Sequence, residues 1–218
     1  MKFFIDTANL DQIREAYGMG VLDGVTTNPS LMAKEGIKGV ENQHRHYVDI
    51  CNIVQGDVSA EVIATGYEGM IEEGEELAAL NPHIVVKVPC IADGIKAVKY
   101  FSEKGIRTNC TLVFSVGQAL LAAKAGATYV SPFVGRLDDI CEDGVALVGK
   151  IVEMYRYYGY DTQVLAASIR HTAHIIRCIE AGADVATCPL AAIKGLLNHP
   201  LTDAGLMKFL EDYKRVNG

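Results

Sequence analysis

The stretch IVVKVPCIADGIKAVKYFSEKGIRTNCTL, residues 84–112, contains the unit from which the fold can be read. It begins with an apolar, valine-rich run at 84–88 and ends with a second strand-like run at 106–112. Gly105 stands directly before the second run, where a helix that ends in a left-handed cap is expected. The stretch therefore predicts a strand, a helix and a second strand.

The same alternation recurs along the whole chain. Runs that favour strands occupy 2–6, 25–28, 58–63, 84–88, 106–112, 128–133, 163–168 and 184–188. Apolar residues at helical spacing lie between them, in the stripes Leu10, Ile13 and Tyr17; Tyr47, Ile50, Cys51 and Val54; Val148, Ile151, Val152 and Tyr155; and Leu190, Ile193 and Leu197. Gly126 and Gly182 precede strands as Gly105 does. The pattern fits a closed barrel better than a doubly wound sheet.

We therefore expect an α/β protein whose residues 1–218 form one domain, a single (β/α)8 TIM barrel. An amphipathic segment extends beyond the eighth unit, with Leu206, Phe209, Leu210 and Tyr213 at positions i, i+3, i+4 and i+7. This spacing predicts an extra C-terminal helix. Its apolar stripe needs a partner, either the end of its own barrel or another subunit.

The charges are those of an acidic protein without a basic patch. The chain has 20 Lys and Arg against 27 Asp and Glu, a formal net charge of −7, and no run of five or six like charges. Nucleic acids and anionic membranes bind cationic surfaces, so neither is expected as a partner. The longest apolar stretches, such as 164–169, are far shorter than the roughly 18 residues that span a bilayer.

The N-terminal segment and the cysteines indicate the cytoplasm. Asp6 interrupts the apolar run that a secretory signal would continue. The cysteines stand mostly in apolar segments and form no CxxC pair, so we expect buried, reduced thiols. They are Cys51, Cys90, Cys110, Cys141, Cys178 and Cys188. Strand alternation predicts that Cys110 faces away from the barrel interior.

Polar residues are concentrated where the predicted strands end, which is where a TIM barrel carries its catalytic groups. They are Asp6, Thr26, Asn28, Glu61, Lys87, Asn109, Thr111, Ser131, Ser168 and Arg170. Residues two apart on a strand share a face, so the pairs 26 and 28, 109 and 111, 131 and 133, and 168 and 170 are each expected to point the same way. Each set can therefore face the barrel interior.

Lys87 is the most informative of these residues, because it places a primary amine in the apolar strand IVVKVP. An ammonium is costly to desolvate, and a buried lysine with a neutral amine can attack a ketone or aldehyde to form a Schiff base. The imine then acts as an electron sink for cleaving an adjacent carbon–carbon bond. The alternative is a structural lysine that reaches solvent or pairs with Glu61 or Asp6.

Asp6 and Glu61 are carboxylates that could shuttle protons in the same cavity. Asp6 could equally cap the helix that begins near Leu10. Arg136 and Arg170 follow strands six and seven, where barrels often bind phosphate. Surface salt bridges are the alternative, with Arg136 facing a neighbouring aspartate. No HxH or HExxH spacing and no Gly-rich nucleotide fingerprint occurs, so neither a metal nor a nucleotide cofactor is indicated.

Seven motifs, in this order, resemble those of the transaldolase family. They are FIDTANLDQI (4–13), GVTTNPSL (24–31), EVIATGYEGM (61–70), IVVKVP (84–89), TNCTLVFS (108–115), YVSPFVGRLDDI (129–140) and AASIR (166–170). The length and the ending HPLTDAGLMKFLEDYKRV (199–216) are similar to the small bacterial and archaeal transaldolases, relatives of the fructose-6-phosphate aldolases. The resemblance covers essentially the whole chain.

The resemblance implies a role for each site residue. Lys87 would form the Schiff base, and Asp6 would be the acid/base at the hydroxyl next to the breaking bond. Glu61 and Thr111 would hold the water through which the carbinolamine loses its hydroxyl. The three-carbon unit would be bound by Asn28 and Asn109, with Thr26 and Ser131 completing the shell, and the phosphate by Arg136, Ser168 and Arg170.

Two positions separate transfer from release within the resembled family. Transaldolases have Glu on strand three and Phe in SPFVGR, whereas the aldolases have Gln and Tyr, and this chain has Glu61 and Phe133. An apolar ring leaves the carbanion-like intermediate less easily protonated, so it survives until an aldehyde arrives. The resemblance therefore favours transfer of the unit over its release.

The resemblance implies a transaldolase of the pentose phosphate pathway. Dihydroxyacetone would pass from sedoheptulose 7-phosphate or fructose 6-phosphate to glyceraldehyde 3-phosphate or erythrose 4-phosphate. No cofactor is expected, because the lysine imine supplies the electron sink. A homo-oligomer of five or ten subunits, joined through the C-terminal helix, is also implied. The alternatives are an aldolase that releases free dihydroxyacetone and a sugar-phosphate-binding barrel without catalysis.

Overall fold

Eight strands form the centre of the computed structural model, which describes all residues from Met1 to Gly218. In chain order they are β1 (Lys2–Asp6), β2 (Gly24–Thr26), β3 (Asp57–Glu61), β4 (Ile84–Pro89), β5 (Thr108–Val113), β6 (Tyr129–Pro132), β7 (Gln163–Ala166) and β8 (Val185–Cys188). Each strand pairs in parallel with the next, and β8 pairs with β1, which closes the barrel. Every predicted run overlaps one of these strands.

Helices follow the strands and cover the outside of the barrel. They are α1 (Leu10–Gly18), α2 (Pro29–Lys34), α3 (Val40–Ile53), α4 (Tyr67–Leu80), α5 (Ala92–Glu103), α6 (Val116–Ala125), α7 (Val134–Asp138), α8 (Gly144–Tyr158), α9 (Thr172–Glu180), α10 (Leu190–Gly195) and α11 (Pro200–Asn217). The architecture is that of a (β/α)8 TIM barrel with an added C-terminal helix. Both features of the predicted fold class are therefore confirmed.

The predicted helical stripes pack against the core with two exceptions, although Leu10 and Leu190 are only partly buried. The stripes on α3 and α8 face the core along their whole length. Tyr17 and Leu197 are instead exposed, at 39% and 72%. The reason is local: α1 turns Ala16 to the core in place of Tyr17, and α10 ends before Leu197 is reached.

Three glycines mark the predicted steps from helix to strand. Gly105, Gly126 and Gly182 have φ angles of +71°, +90° and +78°. These left-handed conformations are favourable for glycine and strained for residues with a Cβ atom. The expected helix-ending signal is therefore present at all three positions.

The barrel interior has an apolar layer below a polar one. The apolar layer is a buried cluster of Phe4, Val85, Tyr129, Leu165, Ala167 and Val185. The rings of Phe4 and Tyr129 meet edge to face at 5.8 Å between centroids. Alternation places Asp6, Lys87, Ser131 and Thr187 two residues further along four of these strands. The polar layer therefore lies at the C-terminal ends of the strands.

Most of the remaining core lies between the strands and the helices. Cys51, Cys110, Cys178 and Cys188 are free and buried in it, as predicted. Cys110 packs on this outer side, which confirms that it faces away from the interior. Cys90 is only partly buried and Cys141 is exposed, because Cys141 lies in the turn after α7. The prediction of buried thiols is wrong for Cys141.

The C-terminal helix α11 stands apart from the core. None of its residues is buried, and Leu206, Phe209, Leu210 and Tyr213 are all exposed, Phe209 at 72%. Of the two partners expected for this stripe, the end of the same barrel does not cover it. No helix combines the length and the hydropathy needed to cross a membrane.

The Phe4 ring lies in the apolar layer of the barrel interior and packs closely against the neighbouring backbone. A Cβ atom on Gly24 would lie 2.7 Å from the Phe4 ring, so the glycine makes space for that ring. Replacing Phe4 by Ala would empty a closed interior, and we expect the free energy of unfolding to fall by about 3–5 kcal/mol. Urea denaturation measures this change, and the exposed Tyr157→Ala is the control. An equal, small loss in both variants would contradict the assignment of Phe4 to the core.

Candidate active site

A cavity of about 120 Å³ opens at the C-terminal ends of the strands. It is lined by Asp6, Thr26, Asn28, Lys87, Thr111, Ser131, Phe133, Arg136, Leu165, Ala167, Ser168 and Thr187. All the residues predicted for the site are among them except Glu61, Asn109 and Arg170. Side chains from seven of the eight strands, or from the segments that follow them, therefore meet at one place.

Lys87 projects into this cavity from β4 and is only 5% exposed. The pairing of β3 with β4 places Glu61 directly beside it, with Lys87 Nζ 3.1 Å from Glu61 Oε2. The same nitrogen donates a hydrogen bond of 2.8 Å to the carbonyl oxygen of Thr27. Lys87 is thus both buried in the cavity and paired with Glu61, and these two contacts fix the direction of its amine.

Asp6 lines the same cavity from the end of β1. Its Oδ1 accepts a hydrogen bond of 2.9 Å from the Thr26 hydroxyl. Burial raises the pKa of Asp6, and the charge of Lys87 and the bond from Thr26 oppose this rise. The helix-capping alternative is wrong, because Asn9 caps α1 by accepting a bond from the backbone N–H of Gln12.

Thr187 on β8 is a site residue that the sequence reasoning missed. Its hydroxyl oxygen lies 2.5 Å from that of Thr26. Because Thr26 has one hydroxyl proton and donates it to Asp6, Thr187 must donate to Thr26. The period of two along VATC, which puts 187 on the same face as the core residue Val185, could have revealed it.

Polar groups on β5 and β6 form the opposite wall. The Asn109 side chain donates to Ser59 Oγ at 3.1 Å and accepts from the Ser131 hydroxyl at 2.6 Å. Asn109 is therefore fully buried beneath Ser131 and does not itself line the cavity. The buried Thr111 hydroxyl lines the cavity and has no protein partner, which is costly unless a ligand or water binds there.

Phe133 and Arg136 form one side of the cavity mouth. The Phe133 ring packs against Phe114, with centroids 5.5 Å apart, and the Arg136 guanidinium carbon lies 5.0 Å from the Phe133 centroid. Arg136 makes no salt bridge, so the surface-pair interpretation is wrong for this residue. Its charge is available at the rim of the cavity.

Arg170 behaves differently from Arg136. Its guanidinium binds Asp139 through both carboxylate oxygens, and it does not line the cavity. The prediction that Ser168 and Arg170 share an inward face is wrong. Strand β7 ends at Ala166, and Ser168 has a φ of +58°, so the alternation of an extended strand no longer applies.

Asn28 lies just beyond the strand predicted to contain it. Strand β2 ends at Thr26, and Asn28 caps α2 by accepting a bond of 3.0 Å from the backbone N–H of Leu31. Its side chain lines the cavity nevertheless. The side-chain amide nitrogen faces no protein acceptor and is free to bind a hydroxyl group.

The assembled groups suit carbonyl chemistry. The Lys87 amine is held beside one carboxylate, and a second carboxylate lines the same cavity, so a nucleophile and two proton acceptors lie together. The hydroxyls and amide around them match a polyhydroxylated ligand, and Arg136 suits an anionic group at the mouth. No group of three or more His, Cys, Asp or Glu side chains is placed to hold a metal ion.

The comparisons with known proteins agree with this arrangement. The family profile described as Transaldolase/Fructose-6-phosphate aldolase matches residues 3–217. Proteins named "Probable transaldolase" are 86% identical over 217 residues in Bacteroides fragilis and 86% over 218 residues in Bacteroides thetaiotaomicron. The Cytophaga hutchinsonii protein of the same name is 73% identical over 218 residues. All three alignments cover the full length of both chains.

The full-length alignments place all eight strands and the whole cavity inside the region of similarity. The chain belongs to the transaldolase/fructose-6-phosphate aldolase family.

Proposed function

We propose that this chain is a transaldolase that moves a dihydroxyacetone unit between sugar phosphates. The donor is sedoheptulose 7-phosphate or fructose 6-phosphate, and the acceptor is glyceraldehyde 3-phosphate or erythrose 4-phosphate. The observation that carries the proposal is the buried Lys87 amine, fixed by Glu61 and Thr27 in a cavity that also holds Asp6. The reaction is a step of the non-oxidative pentose phosphate pathway.

The first step joins Lys87 to the donor. The deprotonated amine attacks the keto carbon, and the carbinolamine loses its hydroxyl as water to give a protonated imine. Glu61 and Thr111 are the groups that assist this loss. The proposal is supported by the contact of Glu61 with the lysine and by the Thr111 hydroxyl, which has no other partner.

Asp6 then takes the proton from the hydroxyl next to the bond that breaks. The bonding electron pair moves into the imine, the shortened aldose leaves, and the three-carbon unit remains as an enamine on Lys87. Addition of the enamine to the acceptor aldehyde reverses these steps, with Asp6 returning the proton. Hydrolysis of the final imine restores the amine. Asn28, Thr26 and Ser131 bind the hydroxyls of the three-carbon unit. Asn109, which does not line the cavity, supports them by accepting the hydrogen bond of the Ser131 hydroxyl.

Phe133 supports transfer rather than release. Its ring lines the cavity and offers no hydroxyl that could organise water near the enamine. Arg136 and Ser168 bind the phosphate from the cavity wall, and Arg170 completes the site by exchanging its Asp139 partner for the phosphate. No cofactor is needed, because the imine accepts the electron pair.

We further propose that residues 1–218 are a single catalytic domain, because the cavity takes side chains from both ends of the barrel sequence, Asp6 and Thr187 among them. The free thiols suit the reducing cytoplasm, where we place the reaction.

We also propose a ring of five or ten subunits joined through α11. The exposed stripe of α11 finds no partner on its own barrel, and a wholly apolar groove offers it a place on a second copy. The groove is lined by Phe3, Met19, Val21, Ile193, Leu196 and Leu197. A helix of one copy in a groove of the next is a head-to-tail contact, the type of contact that forms a ring when the rotation between neighbouring subunits closes.

Borohydride trapping tests the chemistry. We expect fructose 6-phosphate and borohydride to add the reduced ketose irreversibly to the wild-type chain, and Lys87→Met to abolish the adduct, since no other amine lines the cavity. Mass spectrometry of tryptic peptides locates the modification. Turnover should require erythrose 4-phosphate. Free dihydroxyacetone formed without the acceptor would mean an aldolase, and absence of the adduct would contradict the Schiff-base mechanism.

The pH dependence of kcat tests the role of Asp6. The base must be ionised, and because burial raises its pKa, we expect activity to be lost on acidification at a pH above the ordinary aspartate range. Thr26→Val removes a hydrogen bond that stabilises the carboxylate, so the acidic limb should move to still higher pH. Thr26→Ser keeps the hydroxyl and is the control. A limb that does not move in Thr26→Val would exclude Asp6 as the titrating base.

The oligomer is tested on α11. A charge in the apolar stripe, Phe209→Asp, should release subunits, because the buried contact would then contain an unpaired carboxylate. Light scattering after size exclusion measures the mass. Lys208→Asp adds the same carboxylate on the opposite face of the helix and should leave the ring intact. Dissociation by both variants, or by neither, would argue against this interface.

A further inference from the structure

A buried histidine connects the two loops that flank the mouth of the cavity. His174, on α9, is 4% exposed, and its Nε2 lies 2.8 Å from Oδ2 of Asp138, the last residue of α7. The other carboxylate oxygen of Asp138 accepts a bond of 3.1 Å from the backbone N–H of Gly144. Asp138 therefore ties the end of the helix that carries Arg136 to both α8 and α9.

The second ring nitrogen of His174 reaches the other loop. Its Nδ1 accepts a hydrogen bond of 3.4 Å from the backbone N–H of Arg170. An imidazole can accept at Nδ1 and donate from Nε2 to Asp138 only as the neutral Nε2–H tautomer. Burial lowers the pKa of His174, and the nearby His171 lowers it further, whereas Asp138 raises it. The neutral tautomer is the form that this surrounding favours.

The two loops are also in direct contact, through backbone hydrogen bonds and a close approach at Gly135. The backbone N–H groups of Val134 and Gly135 donate to the carbonyl oxygens of Ala167 and Ser168, at 2.9 and 3.0 Å. A Cβ atom on Gly135 would lie 2.4 Å from the Ser168 oxygen. Ser168 itself has a φ of +58°, a strained conformation for a residue other than glycine. Such a conformation persists only where its surroundings hold it.

We propose that His174 and Asp138 are positioning residues, which hold Arg136 and Ser168 at the spacing that binds the phosphate of the substrate. Neither residue lines the cavity, so both act through the loops. The inference rests on the proposed function in taking this end of the cavity as the phosphate site. Its physical basis is that one imidazole, hydrogen-bonded at both nitrogens, joins two loops that carry three candidate phosphate ligands.

His174→Leu removes both hydrogen bonds while keeping a buried side chain. Asp138→Asn is a smaller change in the side chain. If the new amide donates a hydrogen bond to Nε2 of His174, the imidazole proton must move to Nδ1. It then faces the backbone N–H of Arg170, and two donors oppose each other. Ile175→Val is the control, because Ile175 is buried on the same helix and its apolar side chain makes no hydrogen bond. Melting temperatures of all three variants show how much packing each has lost.

The readout separates phosphate recognition from chemistry. We expect KM for fructose 6-phosphate to rise about tenfold or more in His174→Leu and Asp138→Asn. The rate of borohydride trapping with dihydroxyacetone, which has no phosphate, should stay at the wild-type value. Binding of inorganic phosphate, measured by calorimetry, should weaken in the same two variants and not in Ile175→Val.

Two results would overturn the inference. One is equal loss of reaction with fructose 6-phosphate and with dihydroxyacetone, which would mean general damage. The other is unchanged KM and unchanged phosphate binding in both variants. A wild-type chain that forms no adduct would refute the proposed function instead, and the phosphate-binding arm would still decide the role of His174 and Asp138.

Discussion

The pairing of the Lys87 amine with the Glu61 carboxylate is the interaction on which the site depends. An amine within the barrel would be costly to desolvate on its own, and the carboxylate 3.1 Å away compensates it. The pair exists because β3 and β4 are neighbours in register, Glu61 opposite Lys87. Any strand order in which β3 and β4 were not neighbours would separate the two residues and leave a buried charge without a partner.

The same geometry explains why the interior changes from apolar to polar. Side chains that point inward come from every second residue, and the lower layer is closed by the rings of Phe4 and Tyr129. A rigid apolar base allows the upper layer to hold groups that would otherwise destabilise a core. The hydrogen bonds from Thr187 to Thr26 and from Thr26 to Asp6 show how these groups satisfy one another.

The side chains at the mouth of the cavity are positioned differently from those at its base. The strands have ended there, and position is set by individual hydrogen bonds between loops, including those of His174. Backbone strain is present in the same region, at Ser168 and at Leu112, which follows Thr111. Strain of this kind is commonly found at functional sites, where the surrounding structure maintains it.

Local patterns in the sequence determined the positions of the strands, the helix ends at Gly105, Gly126 and Gly182, and the polar residues at the strand ends. Such features depend on periods of 2 and 3.6 residues and on glycine, which act within a few positions of the chain. The family motifs added roles for those residues.

Only the tertiary structure decided which side chains meet. It paired Arg170 with Asp139 while leaving Arg136 free, brought Thr187 to Asp6 through Thr26, and joined His174 to Asp138. Those contacts link residues far apart in the chain, across strand registers and loops. Their distances follow from how the barrel closes and from where the backbone stops being extended. No short stretch of sequence determines either of these.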